Sequence, residues 1–326
     1  MTRRDLLAHG VLAAAAGIAG GCLGVTRDSR APIDMLQPGR WTAHRPMPSA
    51  RQEVAVAALG DRVVVVGGFG ELGAPVPTVE AYRPETDAWE PMSPLPAPVH
   101  HAAAAVVDGR LFVIGGYMDR VPPWRGQRTM YEYDPAGSSW ATRAPLHIGR
   151  GALAAAVVGG RVHVVGGADG DPLDVHEAYD PVADRWTRLA PMLTARDHLA
   201  AVGFQGRLWA LGGRASFVGT QYANVEIYDA SGDRWYAGEP LPEGRGGLAA
   251  AALGDRIYVF GGESPLRIFS ATEMYEASRN RWIGKEPMPT PRHGIGAVVL
   301  NGAIWIPGGA TRPGLARTSA NEAYRP

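Results

Sequence analysis

The sequence predicts an all-β protein: six four-stranded sheets arranged as blades around an axis, a six-bladed β-propeller formed by residues 41–326. Three observations predict it. Gly-Gly pairs end short β-branched or aromatic runs at six places. A Tyr and a Trp seven residues apart follow five of these pairs. The sixth pair is followed by Tyr324 alone, while Trp41 stands near the start with no Tyr ahead of it. Length and composition agree. The chain has 326 residues, 46% hydrophobic and 20% charged, with 43 Gly and 27 Pro, as many short strands joined by tight turns require.

The pairs fall at 67–68, 115–116, 166–167, 212–213, 261–262 and 308–309, a period near 50 residues. Each ends a strand such as Arg62–Gly67, and adjacent glycines adopt positive φ and let neighbouring backbones approach. The aromatic couples are Tyr82/Trp89, Tyr133/Trp140, Tyr179/Trp186, Tyr228/Trp235 and Tyr275/Trp282. Glu precedes the Tyr by two residues in five repeats, as Glu80, Glu177, Glu226, Glu273 and Glu322. In blade one the strands are expected at Val54–Leu59, Arg62–Gly67, Val79–Arg83 and Ala88–Pro91. The chain stops before a sixth Trp, so the segment Trp41–Met47 is expected to supply the outer strand of the last blade and leave no free edge. The Trp series is expected to bury area between blades and to satisfy its N–H groups locally.

Gly-Gly, Glu-x-Tyr and Trp at this period resemble the kelch repeat, over residues 41–326. The resemblance implies a six-bladed kelch propeller, expected as a monomer, whose ligands meet one face at the mouth of the central channel. Two loop sets reach that face: those entering each inner strand, and those following each Gly-Gly pair.

The first set carries a constellation. Ten residues after each Trp stand Arg51, Val99, Arg150, Arg196, Arg245 and Arg292. In kelch adaptors of ubiquitin ligases, arginines at this position include ones that grip acidic side chains. That implies a ligand-binding ring of Arg51, Arg150, Arg196, Arg245 and Arg292, each a planar fork suited to carboxylates. The competing expectation is that a residue repeated in five blades serves each blade alike, bonding strand-end carbonyls. Departures from the repeat tell more. Val99-His100-His101 replaces the Arg in blade two, and Glu53, Asp197, His198 and His293 stand nearby in other blades. His100 and His293 are candidate ligand contacts; His101, Glu53 and His198 are candidate acid/base groups. His100, His198 and His293 also offer metal-ligand chemistry, but without a compact motif no metal or other cofactor is expected. The second set is led by the loop Tyr117 to Thr129, where Trp124 lies among Arg120, Arg125 and Arg128. Such a Trp suits a sugar ring or an acidic peptide; the alternative is a loop folded onto its own Trp.

Two functions compete on these residues. One is a non-catalytic recognition module for a protein or acidic glycan. The other is a carbohydrate-active enzyme of mutarotase or epimerase type, since six-bladed kelch proteins of the bacterial periplasm include sialic acid mutarotases, which resemble this chain in compartment and blade count but carry long inter-strand insertions absent here. The copper chemistry of galactose oxidase, a related seven-bladed enzyme, needs a Cys–Tyr crosslink, and the one cysteine here is Cys22. Zero formal net charge argues against nucleic acid or an anionic membrane as partner. Residues 1–22 resemble a twin-arginine export signal, with Arg3-Arg4-Asp5-Leu6-Leu7 and a short apolar run after it. Ala19-Gly20-Gly21-Cys22 resembles a lipobox, so Cys22 is the expected lipid attachment site, and residues 23–40 a tether. The expected location is the periplasm or cell envelope, with membrane contact only through that lipid.

Overall fold

The computed structural model describes residues 37–326. The export motif, Cys22 and most of the tether lie outside the described residues. Six four-stranded antiparallel sheets follow one another along the chain. Blade one is Ala55–Leu59, Arg62–Val66, Val79–Arg83 and Ala88–Met92, within one or two residues of expectation. Inner strands begin the next four blades at Ala103–Val107, Ala154–Val158, Ala200–Phe204 and Ala249–Leu253. The last blade takes Val298–Leu300, Ala303–Pro307 and Asn321–Arg325 from the C-terminal end and Arg40–Ala43 from the N-terminal end. Trp41 pairs with Tyr324 in that closing ladder, and Tyr324 donates its hydroxyl to Pro38 O. Residues 37–40 therefore belong to the propeller and not to the tether: Lys285 Nζ holds Gln37 O at 2.7 Å.

The blades meet through six apolar clusters, one at each junction between neighbours, including the junction of blade six with blade one. This is what the pleat requires: each sheet has two faces, each must be buried, and only a closed ring covers both for every blade. The inner strands are rich in Ala because six of them crowd around one axis. Together they line a channel of about 500 Å³.

The repeated residues tie blades together. Each Trp of the series donates its indole N–H across a junction to a carbonyl 42 to 47 residues away or, for Trp41, to Glu286 O. The bond is inter-blade, not local as the sequence suggested. The Gly-Gly pairs do the same in the main chain. Gly68 N–H donates to Val99 O at 2.8 Å, and all five other pairs repeat this to the Arg position of the next blade. A Cβ on Gly67 would lie 2.4 Å from Val99 O, and its φ is +61°; the close approach demands glycine there.

Candidate functional site at the channel mouth

The five arginines do not face the mouth. Each is at most 1% exposed, and each bonds the Glu of the Glu-x-Tyr motif in its own blade. Arg51 Nη2 meets Glu80 Oε2 at 2.7 Å, Arg150 Nη1 meets Glu177 Oε1 at 2.5 Å, and Arg196 pairs with Glu226. Arg245 meets Glu273 at 2.6 Å and Arg292 meets Glu322 at 2.7 Å. Other N–H groups take strand-end carbonyls, such as Gly67 O and Thr78 O for Arg51, while Nε of Arg51, Arg150 and Arg196 is buried without a hydrogen bond. The ligand-gripping role expected for Arg51, Arg150, Arg196, Arg245 and Arg292 thus gives way to the architectural one: a fork buried against a carboxylate and carbonyls of its own blade is not presented to a ligand. Blade two makes the point by omission. It lacks the Arg, carrying Val99, and it also lacks the Glu, carrying Tyr131 in that place. Burial lowers the pKa of Arg292 to about 10 and holds Arg51, Arg150 and Arg196 below the ordinary arginine value, each against its Glu partner.

The mouth is built instead from the two residues after the Arg position and the residue after each Gly-Gly pair. The second of these forms a closed main-chain ring. Glu53 N–H donates to Gly294 O, His101 to Glu53 O, Ala152 to His101 O, His198 to Ala152 O, Gly247 to His198 O and Gly294 to Gly247 O, all between 2.8 and 3.1 Å. All six residues have φ between +51° and +65°. Glycine accepts that conformation freely, and an L-residue pays roughly 1 kcal/mol or more. Blades five and six use Gly; blades one, two and four place Glu53, His101 and His198 there. Their ligand-type atoms all lie within 4.8 Å of one another, and they line a cavity of about 80 Å³ on the axis. The three residues singled out from sequence as acid/base candidates therefore converge.

Around them the hydrogen bonds fix protonation. His100 Nε2 donates to the carbonyl of Asp119 at 2.9 Å. Burial lowers the His100 pKa to about 4, so the ring is neutral near pH 7 and its Nδ1 accepts. His101 Nδ1, 2.5 Å away, must be the donor. Burial also pushes His101 well below the ordinary imidazole range, and its Nε2 faces Glu53 Oε2 at 3.3 Å. Burial alone would raise the Glu53 carboxyl, but the imidazoles of His101, His293 and His198 hold it well below the usual carboxylate range. His198 donates Nδ1–H to Asp197 Oδ1 at 2.5 Å and accepts at Nε2 from Arg214 Nη2 at 2.9 Å. Arg214 also bonds Glu263 at 2.7 Å. His293 lies 3.5 Å from Glu53 and 3.4 Å from Glu263. Its burial would lower its pKa, but these carboxylates raise it above the ordinary value.

Sequence reasoning named His100, His101, Glu53, His198, Asp197 and His293, and the structure gathers them with Arg214. It missed Glu263, Phe69 and Tyr117, whose shared signal is their place directly after a Gly-Gly pair. There each bridges in the main chain to the residue following the Arg position. His100 is fully buried, stacked on Phe69 at 3.9 Å, and His293 is 1% exposed, so neither stands on the surface as a ligand contact. Trp124 is half-buried and folds inward, 5.2 Å from His101 and 5.0 Å from His100 between ring centroids. This is the loop folded onto its own Trp, and here it roofs the histidine pair rather than offering an open platform. Its arginine neighbours Arg120, Arg125 and Arg128 remain exposed.

Five consecutive segments of the chain, residues 50–96, 98–147, 149–193, 195–242 and 244–289, match the family model described as Kelch motif. Kelch-like protein 35 of Mus musculus is 28% identical over 129 residues, 40% of this chain and 21% of that protein. Kelch-like protein 36 of Bos taurus is 30% identical over 130 residues, again 40% and 21%. The match thus spans about a fifth of the length of these relatives. The solved structure titled "Structure of YjhT" superposes with a TM-score of 0.71 over 85% of this chain and 96% of that one, at 17% identity, which shows a common fold.

Proposed function

The chain belongs to the kelch-repeat family, and from that premise we propose that it is a recognition module that docks a protein partner on the channel-mouth face. One observation carries this reading. Among the described residues, the exposed large hydrophobic side chains are Leu72, Val121, Val182, Leu193, Phe217, Val218, Leu266 and Leu315. All but Val182 sit in loops on the mouth side. Leu72 is 81% exposed, Leu266 87% and Leu315 68%. An exposed Leu costs nothing remarkable singly, but their segregation to one face marks a surface that meets another molecule. Arg120, Arg125, Arg312 and Arg317 are exposed among them, which favours a partner segment that is both acidic and apolar. Between blades one and six these loops leave a groove of about 360 Å³ lined by Phe69, Leu72, Arg120, Leu315 and Arg317.

The experiment is capture of partners from the native host by the tagged full chain, compared with two variants. Leu72→Asp/Leu315→Asp should lose at least about tenfold of the captured partner, the effect of placing unpaired charges in a desolvated contact. Val182→Asp, on the opposite face, should capture as the wild type does. Equal loss in both variants, or loss in neither, contradicts a partner seated on the mouth.

A further inference from the structure

We propose that Glu53, His101 and His198 form a binding site for one divalent transition-metal cation of the zinc type, set on the propeller axis beneath Trp124.

His101 Nε2 stands 3.3 Å from Glu53 Oε2, in a place where the His101 side chain is 4% exposed and that of Glu53 is 10%. Ligand-type atoms of Glu53, His101 and His198 all lie within 4.8 Å of one another. Three donors gathered this closely on the axis can be shared by a single cation. The spacing suits one: donors about 2.05 Å from a tetrahedral Zn²⁺ stand about 3.3 Å apart. A cation there completes its set with His198, whose ring meets that of His101 with centroids 4.9 Å apart.

The charge balance points the same way. The mouth holds three carboxylates, Glu53, Asp197 and Glu263, faced by Arg214 and by the imidazole of His293, so carboxylates outnumber their cationic partners even when that imidazole is counted as charged. Buried anions in excess of cations call for a counter-charge. Two imidazoles and one carboxylate select a borderline transition metal over Ca²⁺ or Mg²⁺, which take oxygen ligands. The ligand rings are also held in place: His101 is oriented by His100, and His198 by Asp197. The cavity of about 80 Å³ has room for the cation and a water ligand.

One contact competes. Arg214 Nη2 donates to His198 Nε2, so that atom becomes a metal ligand only as the guanidinium gives up this bond. Its bond to Glu263 at 2.7 Å and its 3.4 Å approach to Asp197 hold it elsewhere. The site therefore makes a prediction of unusual sign: removing the arginine should strengthen metal binding.

The test uses the full chain, stripped with a chelator and dialysed. It is titrated with Zn²⁺ by calorimetry and with Co²⁺ by visible absorption, with thermal unfolding of each metal-free variant as the folding control. One equivalent should bind, and Co²⁺ should develop d–d bands. Glu53→Gln and His101→Asn should each weaken binding by at least about tenfold, and Arg214→Met should tighten it. A stripped chain that takes up neither metal overturns the site. So does stoichiometric binding that Glu53→Gln and His101→Asn leave unchanged. An Arg214→Met chain that binds no tighter removes His198 as the third ligand and overturns the three-ligand site. These results are independent of partner capture, which reads the loops above and not the axis.

Discussion

The arginine of each blade shows how a repeated residue should be read. Arg196 and Glu226 are both almost wholly buried, and the remaining guanidinium bonds go to Thr194 O and Ala210 O. The pair clamps the start of the inner strand to the third strand of the same blade. Removing one partner strands a charge in the interior, so Arg196→Met should cost about 3–5 kcal/mol in chemical denaturation. Removing both should cost much less, because an apolar pair of similar volume needs no compensation. Blade two already lives with Val99 and Tyr131 at these positions. A double variant Arg196→Met/Glu226→Met as unstable as the single one would contradict the clamp. The sequence held the clue in the coincidence of the two gaps. It could not display the bond, because the partners are 30 residues apart and meet only when the sheet forms.

At the scale of the element, blade three carries a departure that belongs to stability and not to the mouth. His163 on its second strand and His176 on its third face each other at 2.9 Å, deep in the sheet. Burial lowers their pKa to about 4 and about 3. Both are thus neutral in the folded blade and protonate in the unfolded chain near 6.5. Between pH 6.5 and about 4 the unfolded state binds more protons than the folded one, so stability falls as pH falls through that window. Blade two has Phe112 and Met130 at the corresponding places. The variant His163→Phe/His176→Met should therefore show a flatter loss of unfolding free energy from pH 7 to pH 4.5. Parallel curves for variant and wild type would mean the pair does not titrate this way. The strands of blade one were legible from sequence to within a residue, because turn glycines and β-branched runs are local signals; the closing strand, expected over Trp41–Met47, ends at Ala43. The indole bonds were not, since each Trp reaches a carbonyl of the neighbouring blade.

Over the whole molecule, repetition makes the ring and its breaks make the site. Glycines, tryptophans and arginine–glutamate clamps recur around the axis and close it through Trp41 and Tyr324. What differs between blades gathers at one end. Glu53, His101 and His198 were recognisable in sequence as departures, and so was the side of the ring they share. Their convergence depends on the main-chain ring with positive φ, which no side-chain pattern announces. Glu263 escaped notice because blade five departs after its Gly-Gly pair rather than before its inner strand. Above this buried cluster lie the exposed leucines and arginines of the loops, the surface on which a partner is proposed to sit.

That placement is the central claim, and site-specific photo-crosslinking in living cells tests it most directly. A photoreactive residue at Leu72, Leu266 or Leu315 should yield covalent adducts with the same partner, while one at Val182 should yield none. Adducts formed from Val182 and absent from the three leucines would place the partner on the opposite face and contradict the account.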